Sequence, residues 1–143
     1  CLSKGLGAPV GSVLVGSSDF IALAHRWRKM FGGGMRQAGV IAACGLYSID
    51  NNIDRLSEDH ERAQRLAVAV NSISNFEVDL DSVQSNMVFA RTPEGTADKV
   101  VEHLASQGVD ILTINDSVVR AVTHLHITDE DIEHAISAFS SMQ

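Results

Sequence analysis

A lysine near the start of the chain lies among glycines and other small residues, in the segment CLSKGLGAPVGS at residues 1–12. Lysine amines trap carbonyl groups covalently, and pyridoxal phosphate (PLP) is held in enzymes in this way. Small residues let a flat cofactor approach the backbone beside the amine. The alternative is a solvated surface lysine. The apolar segment that follows favours a position near the interior, where desolvation favours the neutral, nucleophilic amine. The pattern predicts that Lys4 is a Schiff-base lysine.

A second candidate site begins where a basic segment meets three consecutive glycines, in RWRKMFGGGMR at residues 26–36. This segment holds four of the eleven basic residues of the chain. Backbone amides of Gly33 and Gly34 ahead of a helix can form an anion site, and Arg36 can grip phosphate oxygens with two donors. The alternative is a helix C-terminus whose cations complement the helix dipole before a glycine stop. Together with Lys4, the segment favours phosphate binding.

Arg120 is a third candidate, because it lies in the strand-like segment VVRAVTH at residues 118–124. Positions 120, 122 and 124 share one face of a strand. An arginine in such an apolar segment rarely stays buried without a carboxylate or phosphate partner. The pattern leaves two partners open: an internal acid such as Asp116, or the carboxylate of a ligand.

The histidines and cysteines predict no metal site. His60 falls on the apolar stripe of a predicted helix and is interpreted as a core residue. His124 is a candidate for a supporting role beside Arg120, and His126 is interpreted as exposed. No metal-ligand spacing appears, and two cysteines are too few for a disulfide framework, which favours a reducing compartment.

The composition argues against several classes of function. Apolar residues make up 45% and aromatic residues 5% of the 143, which predicts an aliphatic core. Eighteen acidic and eleven basic residues leave a formal charge of −7, which argues against a general nucleic-acid binder. The longest apolar stretch, residues 39–49, is shorter than the ~20 residues that cross a membrane. We expect a cytoplasmic protein that binds a small molecule and neither nucleic acid nor a membrane.

The elements that would position Lys4 and the glycines are a strand and three helices. Residues 12–16 predict a short buried strand, and Ser17 or Ser18 can then cap a helix that the glycines at 32–34 end. The apolar residues of this helix repeat on one face and are expected to be buried: Phe20, Leu23, Ala24, Trp27 and Phe31. Two more helices are predicted, over residues 35–49 and 53–70.

The second half of the chain has the pattern of a small α+β unit. Strands are predicted over 76–80, 86–91, 109–114 and 118–124, and helices over 97–105 and after a capping box that starts at Thr128. This ββαββα order describes a sheet with helices on one face. We place the domain boundary between residues 72 and 73, so that residues 1–72 end a larger domain and 73–143 form a smaller one.

Four segments of the chain resemble the low-specificity L-threonine aldolases, which are PLP enzymes of the aspartate-aminotransferase fold (fold-type I). They are residues 2–12, 26–30, 32–37 and 119–124, and the resemblance runs from residue 1 to about residue 125. It implies an α/β fold in which this chain supplies the end of the large PLP-binding domain, its connecting helices and the small C-terminal domain.

The resemblance also implies site residues and an activity. Lys4 would hold PLP covalently, and Arg120 would bind the substrate carboxylate. The remaining cofactor contacts would be Arg36 and Lys29 at the phosphate, with Ser3, Gly33 and Gly34. The family cleaves L-threonine or L-allo-threonine to glycine and acetaldehyde, and it assembles as a tetramer of paired dimers.

In that family, the partner of the pyridine nitrogen, the ring-stacking histidine and a phosphate loop lie upstream of the lysine. We therefore expect this chain to be a piece of a longer protein and to be inactive alone. Two alternatives stay open. One is another fold-type I enzyme, such as one similar to serine hydroxymethyltransferase. The other is a non-catalytic amino-acid-binding or assembly module in which Arg120 closes an internal ion pair.

Overall fold

Five α-helices and one three-stranded sheet make up the regular structure of residues 1–142, which the computed structural model describes. In chain order these elements are α1 (Ser18–Met30), α2 (Gly39–Asn52), α3 (Leu56–Asn71), β1 (Met87–Arg91), α4 (Ala97–Ser106), β2 (Leu112–Asn115), β3 (Val118–Val122) and α5 (Asp129–Ser140). They fall into two compact units, of which the first is Cys1–Asp54 and the second begins at Arg55.

Helix α1 forms where the capping signals predict it. The Ser17 side chain accepts a hydrogen bond from the backbone N–H of Phe20 at 3.3 Å, and the helix ends just before Gly32, whose φ is +85°. The predicted burial of its apolar face is wrong for this structure, since Trp27 is 48% and Phe31 83% exposed. An apolar stripe along a helix predicts that another element packs against it. No element of the first unit buries the apolar face of α1.

The strand predicted over residues 12–16 does not form. These residues are irregular, and Val13, Leu14 and Val15 are all exposed. A strand exists only through hydrogen bonds to a neighbouring strand, and none of the described residues pairs with this segment. Helix α2 also starts later than predicted, at Gly39, after a left-handed Gln37 with a φ of +50°.

The second unit is a three-stranded antiparallel sheet with the strand order β1-β3-β2 and the helices on one face. The α+β class is confirmed, but the order is βαββα, because residues 76–80 do not form a strand. Only Glu77 of that segment bridges to Arg91, and a 3₁₀ turn at Leu80–Ser82 then carries the chain away. The Asp79 side chain stabilises this turn by accepting a hydrogen bond from the Asp81 N–H.

The core of the second unit lies between the sheet and helices α3, α4 and α5. The α3 residues Ala63, Leu66 and Val70 are almost fully buried, and Phe76 packs edge-to-face on Phe139 at 5.2 Å between ring centres. Helix α3 belongs to this second unit, so the chain divides into the two units between Asp54 and Arg55. The predicted domain boundary between residues 72 and 73 stays a prediction.

A hydrogen bond to Asp59 fixes the start of α3 against the end of β3. Within the first turn of α3, Arg55 also forms a two-pronged ion pair with the buried Asp59 side chain, at 2.6 and 3.1 Å. The backbone carbonyl of Asp59 accepts a hydrogen bond of 2.6 Å from the buried Thr123 hydroxyl. Because Thr123 follows β3 directly, this contact anchors the strand that carries Arg120.

Candidate cofactor and substrate site

Lys4 lies at the tip of a closed loop. The Leu2 N–H donates to the Gly11 carbonyl at 2.9 Å, and the Gly7 N–H donates to the Lys4 carbonyl at 2.8 Å, which closes a tight turn over residues 4–7. Asn52, the last residue of α2, donates to the Leu6 carbonyl at 2.8 Å. The Lys4 side chain is exposed, so its predicted position near the interior is wrong for this structure. The hydrogen bonds fix the backbone that carries the exposed amine.

Helix α2 approaches the same loop closely. A Cβ added at Gly45 would lie 3.0 Å from Leu2 Cδ1, so the glycine leaves the room that the Leu2 side chain occupies. Ala8, in the loop, is 5% exposed. The Lys4 loop is therefore packed as well as hydrogen-bonded.

The glycine segment brings two of the predicted phosphate residues together. A Cβ added at Gly34 would lie 2.9 Å from Lys29 Nζ, so the ammonium sits directly over that glycine. The Gly33 N–H donates to the Arg28 carbonyl at 2.8 Å, and a Cβ there would clash with Arg28 Cγ at 2.6 Å. The turn thus needs glycine at Gly33, whereas a Cβ at Gly34 would displace only the flexible end of the Lys29 side chain. These residues fit a phosphate group.

Arg120 faces away from the helices. Its neighbours Val119 and Ala121 are buried in the core, so the Arg120 side chain leaves the opposite face of the sheet. The Nε atom is buried and has no hydrogen-bond partner in residues 1–142. The ion pairs between described residues do not include Arg120, so the predicted alternative of an internal pair with Asp116 is wrong for this structure. A buried donor of this kind calls for an acceptor from outside the unit.

Within residues 1–142, the remaining predicted site residues form no hydrogen bond with the side chain of Lys4, Lys29 or Arg120. Ser3 and Arg36 are exposed, and Ser3 Oγ lies 3.4 Å from Cys1 Sγ. His124 accepts a hydrogen bond at Nδ1 from the His126 N–H at 3.3 Å, and its role beside Arg120 stays a prediction. Lys4, Lys29 and the glycines belong to the first unit, and Arg120 belongs to the second.

Sequence reasoning missed the residues that flank Arg120 in the sheet. Phe89 on β1 and Leu112 on β2 both pair with Arg120 across the ladder. Both side chains are largely exposed, at 41% and 58%. The alternation in MVFAR, residues 87–91, could have shown that Phe89 faces away from the core. It could not have shown that Phe89 stands opposite Arg120, because that depends on the strand register.

An apolar cavity of about 210 Å³ lies on the other face of the sheet, under α5. Leu66, Ile132 and Phe139 are among its lining residues. None of the predicted site residues lines it, so it is separate from the candidate site.

Comparison of structures shows which class this fold belongs to. A solved structure of a candidate L-allo-threonine aldolase from Listeria monocytogenes matches 99% of this chain and 43% of its own, with a TM-score of 0.75 and 21% identity. A variant of C-DES with glycine covalently linked to its PLP cofactor matches 72% of this chain and 28% of its own, with a TM-score of 0.57 and 21% identity. The fold is that of the fold-type I PLP enzymes, as the resemblance implied.

The chain belongs to the beta-eliminating lyase family, whose match covers residues 1–93. Low-specificity L-threonine aldolase 1 of Arabidopsis thaliana is 42% identical over 142 residues, which cover 97% of this chain and 40% of that protein. The low specificity L-threonine aldolase of Escherichia coli K12 is 46% identical over 133 residues, covering 92% and 38%. The resemblance to the threonine aldolases is confirmed, and this chain spans about 40% of the length of these relatives. No helix within residues 1–142 is long and apolar enough to cross a membrane.

Proposed function

We propose that this chain is part of a PLP-dependent L-threonine aldolase. The enzyme would cleave L-threonine and L-allo-threonine to glycine and acetaldehyde. The observation that carries the proposal is the buried, unpartnered Nε of Arg120, in a chain whose relatives at 42% and 46% identity are named threonine aldolases. These relatives favour the aldolase reaction over that of a serine hydroxymethyltransferase.

The cofactor contacts come from the first unit. The Lys4 amine, presented by its hydrogen-bonded loop, would hold PLP covalently. Lys29, over Gly34, would place a positive charge beside the phosphate, and the bare backbone of the glycine turn would let the phosphate approach. Arg36 and Ser3 would complete the phosphate contacts. Bound PLP supplies the electron sink that stabilises the charge left on Cα when the Cα–Cβ bond breaks.

Arg120 would orient the substrate. Its guanidinium can bind both oxygens of the α-carboxylate, which fixes the rotation of the substrate about Cα. Because the bound carboxylate limits this rotation, the Cα–Cβ bond can be held in the orientation that its cleavage requires. The β-hydroxyl loses its proton as acetaldehyde departs, and protonation of Cα then gives glycine.

The assembly and the location are part of the same proposal. We expect a homotetramer of paired dimers in the cytoplasm, with the phosphate site completed across a subunit interface. The exposed apolar face of α1, with Trp27 and Phe31, supports an assembled state. We also expect the 143-residue chain alone not to turn over substrate.

The experiment measures acetaldehyde release from L-threonine by the full-length protein that contains this chain, coupled to NADH oxidation by alcohol dehydrogenase. Arg120→Lys keeps the charge but loses the planar two-donor grip, so we expect the KM for threonine to rise at least about tenfold. Arg91→Lys is the matched control, because Arg91 lies on the same sheet and is exposed. Wild-type protein that releases no acetaldehyde would refute the proposal, and a requirement for tetrahydrofolate would identify the hydroxymethyltransferase alternative.

A further inference from the structure

The sheet face that carries Arg120 is apolar and uncovered within the second unit. Arg120 shares this face with the exposed Arg91 and with four large apolar side chains that are 40–58% exposed: Met87, Phe89, Leu112 and Val122. The apolar side chains screen the Arg120 guanidinium from water on several sides. Its charge is therefore available to an incoming anion with little competition from solvent.

Phe89 has the closest position to Arg120 among these residues. The Thr123 N–H donates to the Asn86 carbonyl at 2.9 Å, which marks a hydrogen-bonded position of the β1–β3 ladder. In an antiparallel ladder, hydrogen-bonded and non-hydrogen-bonded residue pairs alternate. Phe89 and Arg120 pair three positions further along this ladder, so they form a non-hydrogen-bonded pair. In such pairs the Cα atoms are only ~4.5 Å apart and the side chains lie closest.

The burial of Arg120 agrees with this arrangement. The residue as a whole is half-buried, yet its Nε has essentially no contact with solvent. A neighbour on the same face must therefore cover the middle of the side chain and leave its end accessible. Phe89 stands directly across the ladder from Arg120, the position from which a ring can provide that cover.

We propose that Phe89 is a positioning residue for the carboxylate-binding Arg120. Its ring covers one side of the guanidinium, excludes water from Nε and limits the rotamers of the arginine. Nε and a terminal nitrogen then point at the α-carboxylate of an amino-acid substrate in one geometry. The link to the substrate rests on the proposed function, whereas the pairing of Phe89 with Arg120 is a property of the sheet.

The first experiment tests the pairing in the 143-residue chain without cofactor or activity. The exchange of the Arg120 Nε–H with solvent is followed by ¹⁵N NMR. Phe89→Ala is expected to accelerate it several-fold, because removal of the ring lets water reach Nε. Phe89→Tyr retains the ring and should leave the rate unchanged. Met87→Ala is the matched control, since Met87 lies on the same strand and face and is 40% exposed against 41% for Phe89, but pairs with Val122.

The second experiment tests the role in carboxylate recognition. The PLP-loaded full-length protein is titrated with glycine and with glycinamide, which lacks the carboxylate, and the change in cofactor absorbance is recorded. Phe89→Ala should weaken glycine binding about tenfold and leave glycinamide binding unchanged. A merely structural role would weaken both ligands equally, and that result overturns the proposal.

The two experiments separate the possible failures. Equal Nε–H exchange in Phe89→Ala and Met87→Ala overturns the pairing itself. If the pairing holds but wild-type protein shows no response to glycine, the proposed function fails, and the role of Phe89 toward a substrate carboxylate is overturned with it.

Discussion

Replacing Asp59 by asparagine removes one charge from the buried ion pair between Arg55 and Asp59 at the start of α3. Arg55 donates two hydrogen bonds to the carboxylate, at 2.6 and 3.1 Å, and the Asp59 side chain is only 1% exposed. Asparagine has nearly the same volume, so it leaves no cavity. It leaves the Arg55 guanidinium without a charged partner.

The size of the effect follows from this burial. Removing one partner of a buried ion pair costs about 3–5 kcal/mol, and a hydrogen bond to a charged group contributes about 1.5–3 kcal/mol. Arg55 keeps 15% exposure, so water recovers part of the loss. We expect Asp59→Asn to lower the free energy of unfolding by about 2–3 kcal/mol and Tm by about 10–20 °C.

Urea unfolding followed by circular dichroism measures this change. Glu58→Gln is the control on the neighbouring residue, because Glu58 pairs with Arg62 at 3.3 Å and is 55% exposed. An exposed pair contributes less than about 1 kcal/mol. The double variant Arg55→Met/Asp59→Leu removes both charges and should recover most of the stability. A loss for Asp59→Asn no greater than that for Glu58→Gln would contradict the argument.

Two further predictions concern the α5 cap and the glycine turn. The Thr128 backbone N–H holds the pKa of Asp131 below its ordinary value of 3.8, so this carboxylate adds stability above that pH and loses it as the pH falls through the lowered pKa. Asp131→Asn should therefore flatten the fall in Tm below about pH 4, and unchanged pH profiles would refute the assignment. Gly34→Ala should displace the Lys29 ammonium and weaken PLP binding by the full-length protein several-fold, measured by equilibrium dialysis. Gly39→Ala, which meets no atom within 4 Å, should bind PLP as the wild type does.

Elements with local start and stop signals could be predicted from the sequence. Helix α4 ends just before Gly108, whose φ is +79°, and Thr128 and Asp131 form both hydrogen bonds of the predicted capping box. Such signals involve residues a few positions apart, so they act the same way in any tertiary context. The glycine turn belongs to this group as well.

Features that depend on distant partners could not be predicted in the same way. Residues 12–16 have the composition of a strand, but a strand needs a neighbour, and composition does not provide one. The apolar face of α1 predicts a contact without saying which element makes it. In the site, Arg120 stood out by its residue type, whereas the position of Phe89 opposite it follows only from the register of β1 and β3.

Reductive trapping of the cofactor tests the central claim most directly. The PLP-loaded full-length protein is reduced with sodium borohydride, digested and mapped by mass spectrometry. We predict one pyridoxyl label, on the peptide that contains Lys4, and no label when Lys4 is replaced by arginine. A label on Lys29 or on any other lysine would contradict the account, as would an unlabelled Lys4.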